Sequence, residues 1–270
     1  LLVFDRDFEN ARAEQWNLGL QRLLPGGVFA SAVYVGTRSS RLQRQAELNT
    51  FVRNPLRSFA FVRSMRLSSR FTDVRQFESS GEGRYNALQL RANRYLRNGL
   101  AFDVGYVWSR SDDDGSSVFG NALATEPWSV SSFDRRHNLT AAWTYEIRPP
   151  RSVSDRLPWT QQWSIGGIWR WRSGLPLDIR QTEDPTFTFE NVGRPDIVGE
   201  FRRLDPSVER TFPLADGRQV TGRFAFDPTV FERVEPTDFD ETRPGNVGRN
   251  AFRMHPFQQW DLRISRPMAV

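Results

Sequence analysis

The side chains of this chain that could do chemistry are carboxylates, arginines and two histidines, and their spacing matches no common catalytic motif. The sequence has no Ser/His/Asp spacing, no phosphate-binding loop and no nucleophile elbow. Cysteine is absent, which excludes a disulfide framework, a thiolate metal site and a cysteine nucleophile. The sequence therefore predicts a protein that is not an enzyme and that uses no cofactor.

A metal site is not predicted either. Asp112, Asp113 and Asp114 precede Gly115 and could suggest calcium, but the spacing of an EF-hand and its distal glutamate are missing. We interpret this stretch as a solvated loop tip. His137 and His255 lie too far apart in the sequence to suggest a metal pair.

Polar residues in two regions are the candidates for binding. The segment from Ser173 to about Phe257, rich in Pro, Gly, Asp and Arg, contains the candidate ligand contacts: Arg194, Asp196, Asn246, Arg249 and Asn250. A second set lies on predicted strands or just before them, where we expect a polar wall with its own ion network: Gln89, Arg91, Asn93, Asp103, Asp134, Arg136 and His137. Structural packing is the alternative role for the first set, and ligand contact is the alternative role for the cluster of Asp134, Arg136 and His137.

The strands that must position these residues are clearest in residues 84–110. Asn98-Gly99 is a strong hairpin signal, and it separates two stretches in which apolar and polar residues alternate. Leu100, Phe102 and Val104 share one face of the second strand, which continues to Tyr106 and Trp108. The pattern predicts two long antiparallel strands with one apolar and one polar face.

The rest of the chain repeats this arrangement. Further strands are predicted at 14–23, 28–37, 138–147, 161–172 and about 259–265, and residues 1–13 are predicted to be the tail of a loop. Short connections at 24–27 and 98–99 and a modest one at 148–159 alternate with long ones at 38–83, 111–131 and 173–257. Within 38–83, a short strand is predicted near Ser58 to Val62.

Two fold hypotheses fit alternating strands. A soluble, secreted β-sandwich that binds carbohydrate or another protein would bury Leu100, Phe102 and Val104 under a second sheet. A transmembrane barrel would turn them toward lipid, place the short turns on the periplasmic side and the long loops outside, and carry aromatic girdles at both interfaces. Strands of 10 or more residues match a tilted membrane crossing and favour the barrel.

Aromatic residues provide a further test of the barrel. Those near the predicted outer strand ends are Trp16, Tyr34, Tyr106, Trp108, Trp169, Trp171 and Trp260, and those near the inner ends are Trp143, Tyr145 and Trp163. Tyr85 and Tyr95 fall on the polar side of the alternation unless a bulge intervenes.

Charge and hydropathy restrict the class further. All 37 basic residues are arginine, against 32 acidic residues, which gives a net charge of +5. These arginines are interleaved with acids throughout the chain rather than concentrated in one patch, so we predict no nucleic-acid partner. Mean hydropathy is −0.57, and no run of about 18 apolar residues predicts a spanning helix.

Six segments in order resemble one known family. They are AVYVGTRSSRL (32–42), RYNALQLRANRYLRNGLAFDVGYVWSRSDDD (84–114), SSFDRRHNLTAAWTYEI (131–147), WSIGGIWRWRSGLPLDI (163–179), RPDIVGE (194–200) and GNVGRNAFRMHPFQQWDLRISR (245–266). This ordered set resembles the barrel of large TonB-dependent receptors, the group with an N-terminal carboxypeptidase-regulatory-like domain.

The resemblance implies an outer-membrane barrel of 22 strands, closed by a plug and energised by a TonB-type periplasmic protein for uptake of a large or scarce solute. We therefore expect an all-β fold, a partial transmembrane antiparallel β-barrel of about seven long strands. On this interpretation, residues 1–270 are a fragment of one barrel domain, truncated at both ends, without the plug and the final strands. Outer-membrane lipid, the TonB-type protein and an unknown solute are the expected partners.

Overall fold

The computed structural model describes residues 1–49, 70–71, 74–116, 128–150, 152, 162–181, 193–213, 217–235 and 245–266. Their regular structure is mostly β-strand, with a short 3-10 helix at Pro228–Val230. The strands are β1 (Leu2–Phe4), β2 (Arg12–Leu24), β3 (Val28–Glu47), β4 (Arg75–Arg97), β5 (Leu100–Asp113), β6 (Ser129–Val130), β7 (His137–Glu146), β8 (Ser164–Arg172), β9 (Pro176–Leu177), β10 (Asp196–Ile197), β11 (Glu209–Pro213), β12 (Gln219–Arg223), β13 (Phe231–Glu232), β14 (Phe252–Arg253) and β15 (Phe257–Ser265). None of the described residues form a helix long and apolar enough to cross a membrane.

The long strands form one open antiparallel sheet in the order β15-β8-β7-β5-β4-β3-β2. Each pairs with the next long strand of the chain, and β2 and β15 lie at the edges. β1 pairs with β4 in parallel, and β6 pairs with Asp112 and Asp113 at the end of β5 farthest from the Asn98-Gly99 turn, which we call the outer end. The three remaining pairs, β9 with β14, β10 with β13 and β11 with β12, belong to residues 173–256. The predicted all-β fold with about seven long antiparallel strands is confirmed.

The strand register separates a polar from an apolar face. Directly opposed residues of an antiparallel pair lie on the same side of the sheet. Asn93 is opposite Asp103 on the polar face, and Leu90 is opposite Tyr106 on the apolar face. The alternation continues from β2 to β15, so each long strand contributes to both faces.

The apolar face is not covered by a second sheet in the described part of the chain. Leu18 is 74% exposed and Leu262 is 73% exposed, on strands at opposite edges of the sheet. Leu100, Phe102 and Val104 are only partly covered. The buried core that a sandwich requires at these three residues is therefore not observed.

The hairpin turn between β4 and β5 forms where the sequence predicts it. Asn98 and Gly99 both have positive φ, of 53° and 84°, the backbone that a two-residue hairpin turn with matching twist requires. Just before it the register shifts between Arg94 and Arg97, a bulge at which Tyr95 still lies on the polar side and lines a cavity with Arg91 and Asp103. Tyr85 stays on the polar face, opposite Ser111.

The predictions for the first loop and the N-terminal residues need correction. Strand β3 continues through residues 38–47 and β4 begins at Arg75, although the sequence of 38–83 is aperiodic. Register shifts between Ser39 and Leu42 and between Leu42 and Arg44 break the alternation, which hides the strands from a period-two search. Residues 2–4, predicted as a loop tail, pair with β4. The predicted strand near Ser58 lies outside the described residues.

Candidate functional site

The polar face carries four of the predicted wall residues. Gln89, Arg91 and Asn93 of β4 and Asp103 of β5 lie together on it. Arg91 Nε donates to Asp103 Oδ1 at 2.9 Å, and Arg91 Nη2 also bonds this carboxylate. Both side chains remain largely exposed, so the pair stabilises the fold little.

A cavity of about 590 Å³ opens on the polar face toward the short-turn end. Its lining includes Arg91, Asp103, Thr144, Ile168 and Asp261, from five consecutive long strands of the sheet. Arg170 donates to Asp261 across β8 and β15 at 3.4 Å. The polar face therefore combines space with charges of both signs.

Asp134 lies at the outer rim rather than along the strands. It is 2% exposed, accepts from the Ser111 backbone N–H at 2.7 Å and forms an ion pair with Arg253. A backbone hydrogen bond shows on which face Arg136 lies: its carbonyl accepts from the Ser109 N–H on the neighbouring strand. Because Ser109 is on the polar face, Arg136 is on that face too.

The prediction that His137 belongs to the polar wall is wrong in this structure. His137 is directly opposite Trp108 on the apolar face. Tyr106 Oη and His137 Nδ1 are 2.8 Å apart, and the imidazole also lies against Trp171, with ring centroids 6.0 Å apart. The residues before it, Asp134 to Arg136, are polar, but the strand begins at His137 and its pairing fixes the opposite face.

An aromatic band follows the outer part of the apolar face. Tyr34, Trp108 and His137 lie in one cross-strand row. Trp16 lies over the backbone of Gly36, where a Cβ would collide with the indole. Trp169 and Trp260 stack with centroids 5.0 Å apart. This band is the predicted outer girdle in position and composition.

Arg249 fastens the long segment to the rim. Its side chain is fully buried, and Nη1 donates to Asp113 Oδ1 at 3.0 Å and to the Ser116 carbonyl at 2.6 Å. Nη2 donates to the Asp113 carbonyl, and Ser129 Oγ donates to the Arg249 carbonyl at 2.6 Å. The interpretation of Asp113 as part of a solvated loop tip is corrected, because it is buried at the end of β5 and bonded to this arginine.

The other candidate ligand contacts differ in exposure. Asn250 is buried with a φ of 55°, and its amide donates to the Val130 carbonyl at 2.7 Å. Asn246 is exposed, and its backbone N–H donates to Asp196 Oδ1 at 2.8 Å. Asn246 Oδ1 accepts from the Ile197 N–H at 2.7 Å. The structure therefore brings Asp196 and Asn246 together and places Arg249 and Asn250 at a second location.

Arg194 belongs to a third cluster, centred on Asp178. Arg180 Nε donates to Asp178 Oδ2 at 2.8 Å, and Arg194 pairs with Oδ1. Burial raises the pKa of Asp178, but the hydrogen bonds and positive charges of Arg194 and Arg180 outweigh it and hold the pKa below its ordinary value. This carboxylate is therefore charged at neutral pH.

Sequence reasoning misses several of the hydrogen-bonding residues of the rim. No sequence pattern singles out Asp178, Ser129, Ser131 or Arg253, yet each joins two chain segments that are distant in sequence. Two glycines of the described segment offer a usable signal, Gly174 and Gly245, because a Cβ on either would collide with the backbone of a distant residue. A Cβ at residue 174 would collide with the Met254 carbonyl, so this glycine marks the close approach between the two ends of the long segment.

Comparison with known proteins agrees with this architecture. A family model described as an outer membrane beta barrel domain matches residues 1–270. Among curated proteins, no sequence matches the chain.

Solved structures give weak similarities. FpvA of P. aeruginosa, bound to heterologous pyoverdines, is 13% identical, with a TM-score of 0.39 over 64% of this chain and 18% of that one. FpvAI in complex with pyocin S2 gives the same values. The Escherichia coli outer membrane transporter YddB is 10% identical, with a TM-score of 0.42 over 66% of this chain and 23% of that one. The chain spans about a fifth of the length of each, and similarity at this level carries no functional conclusion.

Proposed function

Because this chain belongs to the outer membrane beta barrel domain family, we propose that it forms part of the wall of a TonB-dependent receptor in the outer membrane. The receptor takes up a large or scarce solute, with energy delivered by a TonB-type protein. Outer-membrane lipid covers the apolar face, and the polar face lines the lumen. The plug and the remaining strands of the barrel belong to other parts of the receptor.

One observation carries this proposal: the described residues at the end of the long segment, from residue 245 to 256, are fastened to the polar face at the end farthest from the Asn98-Gly99 turn. Arg249 reaches Asp113 and Ser129, and Arg253 reaches Asp134, so the end of β5 and the residues between β5 and β7 hold the segment at the rim. An unselective pore needs no such cover, whereas a receptor for a specific solute needs shaped loops there. Functional sites are disproportionately found on loops held by a rigid scaffold.

We assign solute contact first to the exposed part of this segment. Asn246 and Asp196 hold each other through backbone and side-chain hydrogen bonds, which fixes the direction of both. Arg249 and Asn250 anchor the segment at a separate place, because their side chains are buried in the rim. Arg194, paired with Asp178, holds the strand that leads to Asp196.

The test uses cells that carry the intact receptor gene and cells that carry its deletion. Both are incubated with a defined mixture of metal chelates, oligosaccharides and oligopeptides, and mass spectrometry follows the depletion of each compound. We expect the intact cells to deplete at least one compound faster, and a protonophore to abolish the difference. Equal depletion by both strains, or a difference insensitive to the protonophore, would refute the proposal.

A further inference from the structure

Three buried polar atoms without partners lie close together on the polar face. They are Arg136 Nε, Asn138 Oδ1 and Arg172 Nε. Buried polar atoms in folded proteins are almost always hydrogen-bonded, and an unpaired one carries the full cost of its desolvation. Three such atoms in one patch indicate a site that is completed by a bound group.

The register places the three residues side by side. Asn138 of β7 is directly opposite Arg172 of β8, at the about 5 Å spacing of opposed residues in antiparallel strands. Arg136 precedes Asn138 by two residues and lies on the same face, opposite Ser109. The two guanidinium groups therefore flank one amide near the outer end of the polar face.

The neighbouring carboxylates already have partners. Asp134 bonds Arg253 and the Ser111 N–H, and Asp261 bonds Arg170. Among the described residues, neither the Arg136 nor the Arg172 side chain makes a hydrogen bond or an ion pair. The patch therefore holds two positive charges that no acid of the described wall neutralises.

We propose that Arg136 and Arg172 bind an anionic group of the solute, a phosphate or a carboxylate. The inference rests on the proposed uptake function and narrows it to acidic solutes. Two planar guanidinium groups can each donate two parallel hydrogen bonds to such an oxyanion. Asn138 adds a third side chain between them, and its amide can donate to the anion once its oxygen and nitrogen exchange places.

The position suits a site on the path of the solute. The patch is on the polar face near the rim. Along the same strands, the polar face continues through Arg170 to the cavity bordered by Asp261 and Arg263. An acidic solute released by the loops would meet these arginines before it reaches that cavity.

The test measures binding of inorganic phosphate to the intact, detergent-purified receptor by equilibrium dialysis with radiolabelled phosphate. We expect saturable binding that weakens by about tenfold or more in the double variant R136Q/R172Q, as loss of charge-assisted hydrogen bonds implies. The matched control is R91Q, which removes one charge from the same face where Asp103 already neutralises it, and which we expect to change binding less than about twofold. Equal weakening in both variants would reveal a diffuse electrostatic effect and overturn the site.

A second measurement needs no variant. Phenylglyoxal modifies accessible arginines, and mass spectrometry locates the products. We expect phosphate to slow modification at Arg136 and Arg172 but not at Arg91, and equal modification with and without phosphate would overturn the proposal. If phosphate protects both arginines while cells show no energised uptake, the site stands and the proposed function fails. Energised uptake without protection refutes the site and leaves the proposed function standing.

Discussion

Replacing Arg249 with alanine tests whether the long segment is fastened to the rim. The wild-type guanidinium is fully buried and contacts the Asp113 carboxylate, the Asp113 and Ser116 carbonyls and, at 3.4 Å, the Ser129 carbonyl. The variant removes the counterion of the Asp113 carboxylate, which is 8% exposed in the wild type, and leaves three carbonyls without this donor.

The size of the effect follows from that uncompensated charge. Removing one partner of a buried ion pair costs about 3–5 kcal/mol. If the cost falls on local opening of the rim, the equilibrium constant for opening rises by about 100-fold or more, since 1.4 kcal/mol is about tenfold. The strands of the wall keep their backbone pairing, so the loss is confined to the segment.

Hydrogen–deuterium exchange of the intact receptor measures this opening. We expect amides near residues 245–254 to exchange much faster in R249A, because the Met254 N–H, which donates to Leu175 at 2.9 Å, opens with the segment. R202A is the control: Arg202 is 69% exposed and lies 3.5 Å from Asp227 in the same segment, so its loss costs little. Unchanged exchange in R249A, or an equal increase in R202A, would refute the anchoring role.

Three further predictions concern the two faces of the sheet, the Asp178 cluster and the close approach of Gly174 to Met254. L18R should cost about 2–4 kcal/mol and reduce the heat-modifiable, folded form on gels, whereas N17R on the polar face of the same strand should not; equal loss in both would contradict the assignment of the faces. The stabilisation from Asp178, whose pKa is lowered, is present above about pH 4 and is lost as the pH falls through that lowered pKa, so acid should expose residues 176–181 to protease in the wild type. D178N should be cleaved there already at neutral pH, and a D178N variant that resists cleavage as well as the wild type would argue against this. G174A should collide with the Met254 carbonyl, cost about 1–3 kcal/mol and speed exchange at Met254; normal exchange would show that the close approach is dispensable.

The sheet could be predicted from the sequence because its signals are local. Asn98-Gly99 marks the turn, and the period of two within each strand assigns Leu90 and Tyr106 to the apolar face and Asp103 to the polar face. The one-residue register shift between Arg94 and Arg97, in contrast, has no local signal. The prediction for His137 fails because it follows the polar neighbours Asp134 to Arg136 and not the period of two, which places His137 with Leu139 on the apolar face.

The rim could not be predicted, because its contacts connect residues far apart in the chain. Arg249 and Asp113 are 136 positions apart, and nothing around either residue identifies the other. Arg249 is a polar residue in a long loop segment, which is also the description of a ligand contact. Burial distinguishes the two roles, and burial at this position depends on several segments that meet only in the folded structure.

The unequal lengths of the connections between paired strands have a consequence for the order in which the sheet assembles. Hairpin β4–β5 closes over two residues, whereas β8 and β15 pair only after the excursion from residue 173 to 256. Loop-closure entropy grows with the logarithm of loop length, so the second closure costs about 3 kcal/mol more than the first. The contacts of Met254 with Leu175 and of Arg253 with Asp134 shorten the effective loop before the last strand docks. A receptor variant that lacks these contacts should therefore accumulate a folding intermediate in which β2 to β8 are paired and β15 is not.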